Sequence, residues 1–116
     1  MKENNLSDQI RLKHILEAID LILTNIYNVD SFENFENNIL LKTSCEKWLE
    51  EIGEACHHIS NNLKTLNSQI QWEEIYSLRN RVSHAYWDVD YQIIWNIIKY
   101  EIPNLKNDIE NLISDL

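Results

Sequence analysis

Apolar residues recur every three or four positions along most of the chain, the spacing that lines one face of an α-helix. Leu12, Ile15, Leu16, Ile19, Ile22, Leu23 and Ile26 follow it without a break. Ser7 offers a capping side chain ahead of this run and Asp8 a first-turn acid, so the pattern predicts a helix from there to about Asn28. The segment from Val29 to Asn38 has a second cap candidate in Asp30 or Ser31, and two phenylalanines three apart, Phe32 and Phe35. It reads as a connector with one helical turn over one end of the core. A longer helix is predicted from about Ile39 to Leu63, with Leu41, Cys45, Trp48, Ile52, Ala55, Ile59 and Leu63 facing inward. Periodicity fades from Asn61 to Ile70, which is predicted as the main loop.

Trp72 opens a further helix with Ile75, Leu78 and Val82 as its inward row. Asp90 caps a last helical stretch, in which Ile93, Ile94, Ile97 and Ile98 give way to Pro103 and then to Leu105, Ile109, Leu112 and Leu116. Proline has no amide N–H and crowds the preceding turn, so the helix should kink or restart there. No strand pattern, repeat, glycine-rich loop or low-complexity stretch interrupts the series. The predicted architecture is all-α, a four- to five-helix bundle running largely up and down, with residues 1–116 as one domain.

Composition refines this picture at four points. Gly53 is the only glycine and falls mid-helix, where it costs about 1 kcal/mol against alanine; close helix approach is the expected reason. Cys45 and Cys56 are eleven residues apart, about 16 Å along a continuous helix, too far for a disulfide. They are expected to be reduced core thiols, as in a cytoplasmic protein. The N-terminal residues are polar and lack the apolar region of a signal peptide, and no stretch has the length of a membrane span, which adds to that expectation. A formal charge of −9 argues against binding nucleic acid through the overall field. Any such binding needs a local positive groove, built from Arg79 and Arg81 with Lys47 or Arg11 as further contributors.

Chemistry concentrates between Leu78 and Asp90, in the stretch L-R-N-R-V-S-H-A-Y-W-D-V-D. The His84 imidazole can take or give a proton near neutrality, while the Arg79 guanidinium stays charged and can hold two phosphate oxygens in a planar fork. That pair suits cleavage of RNA, whose 2′-hydroxyl is a built-in nucleophile needing a base, an acid for the leaving oxygen and a cation for the phosphorane. Asn80, Arg81 and Ser83 are candidates for positioning the substrate. On an ideal helix Arg79, Ser83 and Tyr86 share one stripe, whereas Arg79 and His84 lie roughly 140° apart. To meet at one phosphate, the helix must end or distort between Ser83 and Asp88, or a second copy must supply half of a composite cleft. Both are expected, in a twofold dimer.

Arg79, four residues, His84, Ala85 and Tyr86 resemble the R-x-x-x-x-H-x-Y motif of HEPN ribonucleases, specifically the HepT-like toxins. R-L-K-H-I-L-E-A-I at Arg11 to Ile19, I-G-E-A at Ile52 to Ala55 and Y-W-D-V-D at Tyr86 to Asp90 are similar to further family landmarks in the same order. The resemblance covers nearly the whole chain. It implies an all-helical homodimer with a metal-independent endoribonuclease site and no cofactor. Arg79 and His84 would be catalytic, and the site would act on RNA such as tRNA or mRNA. The partner it implies is a nucleotidyltransferase antitoxin that attaches AMP to the tyrosine matching Tyr86, in a type II or type VII-like toxin–antitoxin pair. An adenylated Tyr86 would place a phosphodiester on the stripe shared with Arg79 and occupy the cation that RNA needs. Ser83 and Ala85 depart from the commoner family residues, which bears on substrate choice.

Other readings of the same residues remain. Arg79, His84 and Asp88 could form a polar network that caps a helix end and fixes a dimer interface without turnover. The chain could also be a non-catalytic HEPN module that binds nucleotide or docks a nucleotidyltransferase. Cys56, His57 and His58 with Glu51 and Glu54 invite a metal reading, but a second Glu-x-x-His is missing, so no metal is expected. His14 is expected on the surface. Trp48, Trp72, Tyr76, Tyr91 and Trp95 are expected to serve packing, with Trp87 set apart because it borders the motif.

Overall fold

The computed structural model describes residues 2–77 and 89–116, with side chains from Leu6 onward. Helix α1 spans Lys2–Ile26, so Ser7 and Asp8 lie inside the helix and do not cap it. Asp8 is buried and accepts two hydrogen bonds from Ser60, one from the amide at 2.9 Å and one from the hydroxyl at 2.6 Å. Paired donors are what make a buried carboxylate tolerable. The residue near the start of α1 thus meets the turn just beyond the end of α3, Ile39–His57, and the two helices run antiparallel.

Between them, Ser31 caps the short α2, Phe32–Glu36, with its hydroxyl accepting from the Asn34 amide. Phe35 is fully buried and its ring lies 5.0 Å from that of Trp95, so α2 covers one end of the core. Asn38 caps α3 through the Leu41 amide. The predicted single helix to Leu63 is interrupted. It stops at His57, and Ser60, with φ −63° and ψ 147°, caps a separate α4, Asn61–Leu66, by accepting from Leu63 N–H. Ile59 and Leu63 are both buried, so hydrophobic phase carries across a break made by one serine. The predicted loop therefore begins as helix. Its irregular part is Asn67 to Gln71, where the Trp72 indole donates to the Asn67 carbonyl at 3.1 Å.

Trp72 is buried at the start of α5, Trp72–Tyr76. Beyond the undescribed segment, Asp90 accepts from the amides of Gln92 and Ile93 and caps α6, Tyr91–Asn96. A π-helical turn, Ile97–Glu101, then leads into α7, Ile102–Ser114. Pro103 cannot donate to the turn before it, and that turn is wound at π spacing.

The core is aliphatic, built from Leu12, Ile15, Ile19 and Ile22 of α1, Leu49 and Ile52 of α3, and Ile94, Ile98, Ile102 and Ile109 of the C-terminal helical run. Leu49 takes an inward place assigned to Trp48, which is half-buried. Cys45 and Cys56 are free, buried thiols, as expected. Burial pushes each thiol up to about 12, the Lys64 charge only partly opposing this at Cys56. They are unreactive core groups, since the thiolate is the nucleophile. Among the described residues the elements are all helices, an all-α bundle.

Candidate active site and its helical frame

The residues picked out by the motif, Arg79, Asn80, Arg81, Ser83, His84 and Tyr86, lie outside the described residues, as do Leu78, Val82, Trp87 and Asp88. The chain on either side of them is described, and both flanks rest on α3.

Upstream, the end of α5 crosses α3 at Gly53. A Cβ there would stand 3.2 Å from the Ile75 carbonyl oxygen and 3.4 Å from that of Tyr76, so the glycine is needed for this approach. One turn further along α3, the His57 ring stacks on the Tyr76 ring, with centroids 4.0 Å apart and planes 17° apart. The motif stretch begins two residues after Tyr76.

Downstream, the Tyr91 hydroxyl donates to Glu46 Oε1 at 2.8 Å, and the Lys42 ammonium sits 4.5 Å from the Tyr91 ring centroid. Burial, then the hydrogen bond and charge of Glu46, push the Tyr91 phenol up to about 12. It remains a proton donor to the carboxylate near neutrality. Lys42, Glu46, Gly53 and His57 are spaced four, seven and four residues apart, a single stripe of α3. Glu46 and Gly53 are separated by about 10 Å along the axis. Nothing local in the sequence signals the tie of Glu46 to Tyr91 or of His57 to Tyr76; only the lone glycine pointed toward this face.

A neighbouring face tests the expected positive groove. Arg11 and Lys47 do line a shared groove of about 590 Å³ between α1 and α3, together with His14 and His58. Glu17, Glu50, Glu51 and Glu54 line it too, so carboxylates outnumber the fixed cations four to two. Arg11 and Lys47 therefore do not create a positive surface there. His14, His57 and His58 are exposed. Among the described residues no three His, Cys, Asp or Glu side chains converge as metal ligands. No described helix is long and apolar enough to cross a membrane.

The family model for ribonuclease HepT-like proteins matches residues 15–112, from the middle of α1 to the last turns of α7 and across the whole motif stretch. The chain belongs to the HepT-like ribonuclease family. It is 37% identical over 101 residues to a probable ribonuclease HepT of Thermococcus cleftensis, covering 87% of this chain and 91% of that protein. It is 35% identical over 105 residues to a Methanocaldococcus jannaschii protein whose name provisionally assigns it as an RNase, covering 90% and 86%. A similarly named protein of Caldanaerobacter subterraneus subsp. tengcongensis is 31% identical over 102 residues, covering 88% and 90%. No solved structure matches the chain. The HepT-like match agrees with the resemblance drawn from the motif and its landmarks, and the helical bundle agrees with the predicted fold class.

Proposed function

We propose that this HepT-like chain is a metal-independent RNA endonuclease and the toxin of a toxin–antitoxin pair. The observation that carries the reading is the family match, which spans the motif and extends over most of the chain. Names given to the relatives as RNases add support for RNA as the substrate.

In this mechanism Arg79 clamps the scissile phosphate and His84 acts as general acid or base, with Asn80, Arg81 and Ser83 positioning the RNA. A base takes the 2′-hydroxyl proton, O2′ bonds to phosphorus, the bond to O5′ breaks, and the leaving oxygen is protonated. The products are a 2′,3′-cyclic phosphate and a 5′-hydroxyl. The extra negative charge of the phosphorane is met by the guanidinium, which needs no bound ion. A homodimer supplies two histidines, one for each proton transfer, and answers the angular separation of Arg79 and His84 on a straight helix. The partner is a nucleotidyltransferase that transfers AMP to the Tyr86 hydroxyl.

The test is to incubate the purified chain in EDTA with RNA and with DNA of the same sequence. Cutting of RNA alone, with cyclic phosphate ends, is expected. A chain that cuts neither is a docking module for its partner and no nuclease.

A further inference from the structure

We infer that the α3 stripe of Lys42, Glu46, Gly53 and His57 sets both ends of the motif stretch, and that Glu46 is a positioning residue for RNA cleavage acting through Tyr91. The inference rests on the RNase reading above and adds to it a residue outside the motif.

Two contacts of different chemistry fix the two flanks to one rigid helix. Upstream, Gly53 lets the α5 backbone approach within contact of α3, and one turn on His57 stacks on Tyr76. Downstream, the Glu46–Tyr91 hydrogen bond is charge-assisted at 2.8 Å and half-sheltered from water, and Lys42 closes over the other side of the ring. Directly ahead of Tyr91, Asp90 caps α6, so the ring and the start of the helix are fixed together. Eleven residues, 78–88, join the two flanks. A catalytic pair carried on so short a span is sensitive to where its ends are held, because misplacement by about 1 Å can cost two orders of magnitude in rate.

Glu46 touches no substrate in this scheme. A plain stability contact would lower the melting temperature and little else, whereas a positioning contact lowers kcat with little change in KM. The experiment compares wild type, Glu46→Ala, Glu46→Gln, Tyr91→Phe and the double variant Glu46→Ala with Tyr91→Phe. It measures kcat, KM, Tm and amide exchange across residues 78–88 and at Gln92 and Ile93.

Glu46→Ala and Tyr91→Phe are each expected to lower kcat roughly tenfold, the scale of a lost hydrogen bond to a charged group, with KM within about threefold. Because both break one bond, the double variant should be no worse than either alone. Glu46→Gln keeps an acceptor oxygen and should recover most of the rate. Exchange at 78–88 should quicken in Glu46→Ala and Tyr91→Phe. Unchanged exchange there overturns the inference whether or not RNA is cut. So does a loss of activity that merely follows Tm and is not recovered by Glu46→Gln. A wild-type chain that cuts no RNA removes the RNase reading instead, and the exchange result then decides the anchoring alone. If Glu46→Ala does not fold, Tyr91→Phe, which removes a single oxygen, carries the same comparison.

Discussion

Asp8 and Ser60, fifty-two residues apart, share two hydrogen bonds: the serine amide donates to one carboxylate oxygen and its hydroxyl to the other. The same serine oxygen accepts from the Leu63 amide to start α4. A carboxylate on α1 therefore supports the cap of the helix that begins just beyond the end of α3. The site stretch follows soon afterwards along the chain, so this link ties the first helix to the path that leads into the motif.

Asp8→Ala removes the acceptor and leaves the half-buried Ser60 donors without it. Hydrogen bonds to charged groups contribute about 1.5–3 kcal/mol, so with two of them lost a destabilisation of about 2–4 kcal/mol is expected in urea unfolding. Asp8→Asn can still accept at one oxygen and should lose less. Equal losses for the two variants, or a loss below about 1 kcal/mol, would show that the bonds contribute little.

Gly53→Ala sets two effects against each other. Alanine favours the helix by about 1 kcal/mol, but its methyl meets backbone oxygens of α5 at 3.2 and 3.4 Å, and backbone cannot yield as a side-chain tip can. The contact should win, with a net destabilisation of about 1 kcal/mol, in the range of overpacked sites. Gly53→Val should be worse. Cleavage should fall more steeply than stability, because the displaced element leads straight into the motif. A Gly53→Ala protein more stable than wild type and fully active would mean that α5 moves aside without consequence.

Some of this was legible in the sequence and some could not be. Helical spacing identified the interior of α1 and the Asp90 cap, and Pro103 marked where the helical ladder changes, to a π turn where a kink or restart was expected, because each follows from residues within a turn or two of one another. Ser7 and Asp8 misled because a serine followed by a carboxylate ahead of a hydrophobic run looks the same whether the pair opens a helix or lies inside one that began earlier. The break at Ser60 was hidden because Ile59 and Leu63 keep their hydrophobic phase across it. Glu46 and Tyr91 are forty-five residues apart, and nothing local marks either as the other's partner. The motif residues were found by their chemistry and by family resemblance; the structure adds the helix face that holds their flanks.

The thiols give a pH prediction. Cys45 and Cys56 are pushed from 9.0 to about 12 in the folded chain, so folding favours their protonated form. Below about pH 9 both states hold these protons and the contribution is complete. Between about 9 and 12 the unfolded chain binds fewer protons than the native one, so stability falls as pH rises, by at most about 1.4 kcal/mol per pH unit per thiol. Tyr91, raised from 10.0 to about 12, adds to the same decline above pH 10, to a smaller extent because it is half-exposed. Urea midpoints measured from pH 8 to 11 should drop in the wild type and drop less steeply in a Cys45→Ala, Cys56→Ala chain, which keeps only the Tyr91 contribution. A slope unaltered by removing both thiols would rule them out as its source.

For the reaction itself, His84→Ala should lower cleavage by roughly 10²–10⁴, the usual contribution of a positioned acid or base. Arg79→Lys keeps the charge but loses the two-pronged fork, and most activity should go with it. Initial rates on a single RNA, with circular dichroism to show that both variants fold, decide the matter. Undiminished cleavage by either variant would remove that residue from the mechanism.

Control by the nucleotidyltransferase proposed above should act through one oxygen. If AMP is transferred to Tyr86, the new phosphodiester would, on the ideal-helix spacing of the sequence, share a stripe with Arg79 and compete for its guanidinium. Tyr86→Phe lacks the acceptor oxygen but keeps the ring, so the variant should fold and cut RNA while gaining no mass from ATP and the nucleotidyltransferase. Co-expressed with that partner, it should stay toxic where wild type is silenced. Silencing of both chains alike, with an AMP adduct on the phenylalanine variant, would move the acceptor to another residue; silencing of both without any adduct would make the partner an inhibitor by binding alone.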